Sequence, residues 1–227
     1  MDNKIDKFNE ERQKDLIIGR NAVTELIKSG REIDTLFVVR GEKGGSLGKI
    51  IGECREKGAV VKEVDKKKLD FMCGHSNHQG VAAICAAHDY STVEEILKVA
   101  EERNEAPFIV ACDGIEDPHN LGAIIRTAEA AGVHGIIIPK RRSASLNYTV
   151  GKTSAGALEY MKVARVSNLA STLDELKEKG LWVYGADMDG VDVRSTNLDG
   201  AAVLVIGSEG DGMSRIVREK CDFIISL

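Results

Sequence analysis

The stretch Asp113-Gly-Ile-Glu-Asp-Pro-His-Asn-Leu-Gly-Ala-Ile-Ile-Arg-Thr-Ala128 decides how this chain is read. It follows a short apolar run, Phe108 to Cys112, that has the pattern of a buried strand. The Asp117-Pro118 pair breaks that run, and a helix is expected to open near His119 or Asn120. Helical spacing puts Ile124, Ala128 and Ala131 on one face, the expected core stripe. It puts Arg126 with Gly122 on the opposite face. A strand thus delivers a polar turn, and the helix behind it carries an arginine away from its core. This layout suits a site for an anionic or polar substrate at the carboxyl end of a sheet.

A second stretch has the same build. Val203-Leu-Val-Ile-Gly-Ser-Glu-Gly-Asp-Gly-Met-Ser214 runs an apolar strand into three glycines within six residues and then into a helix. Glycines let a backbone bend sharply and let a ligand lie against exposed N–H groups. They also make tight turns that bind nothing. The GxGxxG spacing and the P-loop lysine are both absent, so no dinucleotide or nucleoside-triphosphate site is read here. Glu209 among the glycines can bond ribose hydroxyls or a substrate amine, or can cap the next helix. Asn120, Arg126 and Glu209 would meet at one sheet edge if strands 108–112 and 202–206 are neighbours. The competing reading is that Arg126 and Glu209 form a structural ion pair.

Around these stretches the pattern divides in two. Residues from about 15 to 88 alternate short helices and strands: helices at 21–29 and 47–57, strands at 35–39, 59–64 and 80–87. Residues 89–106 read as a charged helix with an apolar seam of Ile96, Leu97 and Ala100, which links the two regions and covers the second. From Pro107 the units lengthen. Strands are expected at 108–112, 135–138, 182–186, 202–206 and 223–226, and helices at 120–131, 152–159, 170–179 and 213–219. Strands separated by helices imply an α/β fold, a mostly parallel sheet with helices on both faces. Residues 1–14 are polar and charged and read as a frayed tail, neither a leader nor a membrane span.

Composition narrows the function. Aromatic residues are 4% of the chain, which argues against an aromatic platform as the main way of binding bases. The net charge of -5 speaks against indiscriminate polyanion binding and moves attention to local clusters. Two stand out, Lys66-Lys67-Lys68 and Lys140-Arg141-Arg142. The first reads as a solvated face. The second follows an apolar strand directly, so it belongs at the same sheet edge as the turn after Cys112. The five cysteines are scattered without a CxxC pair and read as reduced thiols of a cytoplasmic protein. Cys73-Gly-His75-Ser-Asn-His78 has the letters of a ligand set but no fourth ligand at a usable spacing. It reads as a hydrogen-bonded loop, and no metal is expected.

Together these residues resemble the SpoU (TrmH-type) family of RNA 2′-O-ribose methyltransferases, within the SPOUT class. The family's first motif corresponds to Asp117-Pro-His-Asn120-Leu-Gly122 through Ile125-Arg126-Thr-Ala128, and its second to Ile206-Gly207-Ser-Glu209-Gly-Asp-Gly212-Met213. The first 90 or so residues resemble the small L30e-like α/β substrate-binding domain of several members. Its marks are Ile18-Gly19-Arg20-Asn21-Ala22-Val23 and His78-Gln79-Gly80-Val81-Ala82.

The resemblance implies a sheet with a trefoil knot at its carboxyl end, a homodimer, and S-adenosylmethionine as cofactor. It implies RNA as substrate, with a guanosine of 23S rRNA first and tRNA next, and neither DNA nor membrane as partner. Residue by residue it implies Arg126, Asn120 and Glu209 as catalytic. Gly207, Ala186 and Leu227 would contact the cofactor, and Arg20, Asn21, Lys140, Arg141 and Arg142 the RNA. Ser145-Leu-Asn147 has the letters of the family's third motif but precedes the second, so no role is carried to it. The third motif would follow Leu227. On that ground the expectation is weak or absent cofactor binding and catalysis, and an RNA-binding module without catalysis is the alternative.

Overall fold

A computed structural model describes residues 16–42, 44–86 and 88–226. The tail read at 1–14 and the cofactor position at Leu227 lie outside the described residues. The chain forms two compact units, residues 16–89 with Ser145–Tyr148, and Tyr90–Ala144 with 149–226.

The first unit is a four-stranded sheet in the order β1-β4-β2-β3. Its strands are β1 (Leu16–Ile18), β2 (Ile33–Val39), β3 (Val60–Val64) and β4 (Val81–Cys85), and its helices α1 (Arg20–Lys28), α2 (Ser46–Glu56) and α3 (Lys66–Met72). Strand β2 is parallel to β3 and antiparallel to β4, and β1 is antiparallel to β4. Period-two alternation splits β4 between two cores. Val81, Ala83 and Cys85 join α1 and α2 through Val23, Leu26, Leu47 and Ile50. Ala82 joins α3 through Leu69 and Cys73. The sequence pattern misses β1 and α3. The first is only three residues long, and three consecutive lysines hide the helical pattern of the second.

The second unit is a six-stranded sheet in the order β10-β8-β9-β5-β6-β7, every neighbouring pair parallel. The strands are β5 (Phe108–Cys112), β6 (Gly135–Pro139), β7 (Val163–Val166), β8 (Trp182–Asp192), β9 (Ala202–Ile206) and β10 (Phe223–Ser226). The helices are α4 (Val93–Arg103), α5 (Pro118–Ala130), α6 (Tyr148–Thr153), α7 (Leu169–Glu178) and α8 (Arg215–Arg218). One face of the sheet, with Ile109, Ala111, Ile137, Val183, Val203 and Val205, packs against Ile96 of α4, Leu169, Leu173 and Leu176 of α7, and Val217 of α8. Helix α5 follows β5 and buries Leu121, Ile125 and Ala128. Thr92 and Glu95 close a capping box at the start of α4.

Four expectations need correction here. Strand β7 is absent from the sequence reading because four residues carry too short an alternation to be seen. The helix expected at 152–159 is α6 at 148–153 followed by a separate 3-10 turn, Ala157–Glu159. The helix expected at 213–219 is the single turn α8. Strand β8 runs on to Asp192 and carries a bulge. Ile224 of β10 stands beside Gly185 and Ile225 beside Val191, so residues 186–190 bulge out of the pairing with β10, while Ala186 stays in register with β9. Among the described residues no helix is long and apolar enough to cross a membrane.

Candidate functional site

The carboxyl ends of β5, β9 and β8 lie side by side, with Cys112 in register with Ile206 and Ala186 with Ile206 on the other side. Strands 108–112 and 202–206 are therefore neighbours, as the site reading requires. The loop after β5 and the glycine loop after β9 are bonded to each other. Asp113 N–H donates to the Ile206 carbonyl at 2.8 Å, and the Asp113 carboxylate accepts from Ser214 N–H at 2.7 Å.

The glycine loop closes on itself. Ser208 and Gly212 exchange two backbone hydrogen bonds, 3.0 and 2.9 Å, leaving Glu209, Gly210 and Asp211 exposed at the tip. A Cβ on Gly207 would stand 2.2 Å from the Gly212 carbonyl carbon and the Met213 nitrogen, so only glycine admits this closure. At Gly210 a Cβ would meet nothing within 4 Å. Gly207 is thus a loop-closing residue, whereas the Cβ side of Gly210 faces open space.

Helix α5 starts where residue chemistry dictates. The Asp117 carboxylate accepts from His119 N–H at 2.8 Å as N-cap, and Pro118 occupies the first turn, where its missing N–H costs nothing. The expected face of this helix is wrong by about one residue. Leu121, Gly122, Ile125 and Ala128 are buried, Ile124 is half-buried and Ala131 is exposed. Gly122 faces inward because a Cβ there would lie 1.9 Å from Thr153 Oγ1, so α6 sits directly against it. The Thr153 hydroxyl donates to the Thr149 carbonyl at 2.8 Å.

Asn120 and Arg126 are exposed, and neither makes a hydrogen bond or ion pair among the described residues. Arg126 and Glu209 form no ion pair, which removes the structural alternative for that couple. Arg126 is also roughly 12 Å along the helix axis from Pro118, at about 1.5 Å per residue. The structure therefore brings the Asn120 end of α5 to the same sheet edge as the Glu209 loop. It sets Arg126 lower, on an open flank.

Two neighbouring segments border this edge. After β6, Ala144 N–H donates to the Ile115 carbonyl at 2.8 Å, which holds the Lys140–Arg142 loop beside the Asp113 loop. Arg141 and Arg142 are exposed, and Arg142 takes a left-handed φ of 55°. The Arg165 guanidinium stacks over the Tyr90 ring at 5.2 Å, close by in this unit. On the β8 side, Ala186 opens the projecting 186–190 bulge. Arg218 of α8 grips that bulge, bonding Asp187 and both oxygens of Asp189 at 2.9 and 3.0 Å. The Asp189 carboxylate, with Asp187 behind it, holds the Arg218 guanidinium even more firmly charged than usual.

Sequence reasoning missed Asp113, Ser214, Arg218, Asp187 and Asp189. The Asp187-Met-Asp189 repeat just after an apolar strand was the available signal. Cys112 is no nucleophile: complete burial pushes its thiol up to about 12.

In the first unit the two marks of the substrate-binding resemblance meet. Arg20 Nε donates to the Gln79 carbonyl at 2.8 Å, and Arg20 N–H donates to Gln79 Oε1 at 3.0 Å. Its guanidinium also reaches Glu42 at 3.6 Å, so Arg20 is engaged within the unit while Asn21 is exposed. The histidine loop is hydrogen-bonded. His78 is buried, its Nδ1 accepts from Gly80 N–H at 2.9 Å, and Nε2 therefore carries the proton it gives to Asp70 at 2.8 Å.

Comparison with known proteins accords with both units. Residues 107–227 match the SpoU rRNA Methylase family, and residues 16–91 match a domain described as RNA 2′-O ribose methyltransferase substrate binding. A TrmH family tRNA/rRNA methyltransferase of Bacillus subtilis, YacO, is 48% identical over 216 residues, covering 95% of this chain and 86% of its own. A Staphylococcus aureus protein with the same family description is 45% identical, covering 93% of this chain and 86% of its own. Among solved structures, the SpoU methyltransferase AviRb from Streptomyces viridochromogenes aligns with a TM-score of 0.54 at 22% identity, covering 93% of this chain and 80% of that one. An rRNA methyltransferase from Sinorhizobium meliloti aligns at 0.52 and 24%, covering 93% and 77%. These two establish the likeness of fold. With both units matched and relatives this close over nearly its whole length, the chain belongs to the SpoU rRNA methylase family of RNA methyltransferases.

Proposed function

We propose that this chain transfers a methyl group from S-adenosylmethionine to a ribose 2′-OH of RNA, a guanosine of 23S rRNA first and tRNA second. The observation that carries the reading is the Asp113–Ser214 hydrogen bond, which joins the loops of the family's first and second motifs at adjacent strand ends. In this reading residues 15–88 bind the RNA substrate, 89–106 link, and 107–227 form the methyltransferase domain. A trefoil knot at its carboxyl end, a homodimer and a cytoplasmic setting belong to the same reading. AviRb and the S. meliloti enzyme were solved with AdoMet bound, which favours the same cofactor here.

The residues present fit that cofactor. The tip of the glycine loop at Glu209 and Gly210 is open to solvent, and the 186–190 bulge lies beside the loop, a Cβ on Gly212 coming within 4.0 Å of the Asp187 carboxylate. Gly207, Ala186 and Leu227 would hold it. When bound, S-adenosylmethionine supplies an electrophilic methyl on a sulfonium. The chain must then align the ribose hydroxyl and ease the loss of its proton, since a 2′-OH is a poor nucleophile at neutral pH. Arg126, exposed and uncommitted, suits a contact to substrate phosphate. A guanidinium stays protonated, so its work is positioning and charge rather than taking the proton. Asn120 and Glu209 would order the ribose, and Lys140, Arg141 and Arg142 the flanking phosphates, with Asn21 and Arg20 serving the substrate-binding domain.

The test is incubation with methyl-labelled S-adenosylmethionine and either 23S rRNA fragments or tRNA transcripts. The chain is used both as it stands and as the full product of its reading frame. Label in alkali-resistant dinucleotides is expected, because a methylated 2′-oxygen can no longer attack its own phosphodiester. Absence of cofactor binding by calorimetry in both forms would sink the reading.

A further inference from the structure

The Lys66–Lys68 cluster lies outside the residues assigned to methyl transfer. Helix α3 buries Leu69 completely beneath Val39, Val64 and Ala82, yet leaves Phe71 61% exposed. Lys67 and Lys68 precede Phe71 by four and three residues, the spacings at which side chains are surface neighbours on a helix. All three lysines are exposed, and none makes an ion pair or hydrogen bond among the described residues. The two carboxylates flanking the lysines in sequence are turned elsewhere: Asp65 pairs with Arg40 at 3.6 Å and Asp70 with His78 at 2.8 Å. The result is an open aromatic ring flanked by uncompensated cations, in a chain whose net charge is -5.

We propose that Phe71 with Lys67 and Lys68 forms a single-strand RNA contact, the ring stacking on one base and the two ammonium groups meeting the adjoining phosphates. Charge decides the occupant. An apolar protein partner would have to desolvate the lysines, whereas a nucleic-acid strand offers a π-face and a phosphate at adjacent positions. A base stacked on Phe71 would take one face of that exposed ring out of water. One ring is a single stacking contact, which is compatible with the scarcity of aromatics. The inference rests on RNA being the substrate, and the match of residues 16–91 to a substrate-binding domain places Phe71 and its lysines within that domain.

The test uses the full chain and a single-stranded RNA carrying 5-iodouridine, whose photocrosslinking favours a stacked aromatic ring. Wild type is expected to crosslink at Phe71, and Phe71→Leu to lose that crosslink and about five- to 150-fold in affinity. Lys67→Gln with Lys68→Gln should keep the crosslink at low salt and flatten the slope of log affinity against log salt by about 1.4. Thermal melting of all three should coincide, since the altered side chains are exposed. Unchanged affinity and crosslinking in Phe71→Leu would overturn the inference and leave the methyltransferase reading intact. RNA binding by neither wild type nor variants would overturn both.

Discussion

The Asp113 carboxylate accepts a hydrogen bond from the Ser214 backbone N–H at 2.7 Å, between residues 101 positions apart in sequence. With the Asp113 N–H to Ile206 carbonyl bond, it ties together two loops that each follow their own strand. Hydrogen bonds to charged groups contribute about 1.5–3 kcal/mol. Asp113→Ala should therefore lower unfolding stability by about 1–2 kcal/mol, at the lower end because the pair is solvent-exposed. Asp113→Asn, whose amide oxygen still accepts, should recover part of it. Urea unfolding of the three proteins measures this, and equal midpoints would remove the tie from the account.

Two of the three glycines in one loop make opposite predictions. Gly207→Ala puts a methyl 2.2 Å from backbone atoms that no rotamer change can move. The loop must shift, at about 1–3 kcal/mol by the usual cost of overpacking, and cofactor affinity should fall with it. Gly210→Ala enters open space and should leave stability within about 0.5 kcal/mol of wild type. Paired melts with calorimetric titration of S-adenosylmethionine test both. A tolerant Gly207→Ala would contradict the closure of the loop.

Much of this unit was legible because it is local chemistry. Asp117-Pro118 announces a helix start whatever lies around it, and the apolar runs of β5, β6 and β9 are buried strands in any parallel sheet. What stayed hidden is tertiary. The buried face of α5 turns on Gly122, whose inward position exists only because Thr153 comes to it from a helix about 30 residues on. The 186–190 bulge is a matter of register between β8 and β10, and register leaves no mark on β8 alone. Arg218 looks like any exposed helix cation until the bulge brings Asp187 and Asp189 to it. The family motifs marked Asn120, Arg126 and Glu209, but only the structure shows that Arg126 and Glu209 do not pair.

Arg126 is exposed and makes no polar contact within the described chain, so its loss should cost little folding stability. Arg126→Ala is expected to melt within about 0.5 kcal/mol of wild type. It should lose methyl transfer by about a hundredfold or more, as when a group that stabilises transition-state charge is removed. Arg126→Lys should not restore it, because an ammonium cannot make the two-pronged contact of a guanidinium. Single-turnover methylation beside thermal melting separates the two effects. A destabilised Arg126→Ala would return this residue to a structural role.

Arg218 spans Asp187 and Asp189 on the projecting bulge and sets where Ala186 and its neighbours stand. The Asp189 arm of this pairing is exposed and the Asp187 arm part-buried, so Arg218→Ala should lower unfolding stability by only about 1 kcal/mol. Its effect belongs to the loop. Freed of its cation, the bulge carries two carboxylates within three residues, and their repulsion widens the range of conformations it samples. Cofactor KM should rise while kcat at saturation stays near wild type, because the penalty is ordering the loop on binding rather than the transfer itself. Higher salt should screen the repulsion and narrow the gap between variant and wild type. Arg218→Lys should fall between, since one ammonium cannot hold both carboxylates in the same geometry. An equal drop in kcat and kcat/KM, insensitive to salt, would mean that Arg218 acts on the reacting groups themselves and not through the bulge.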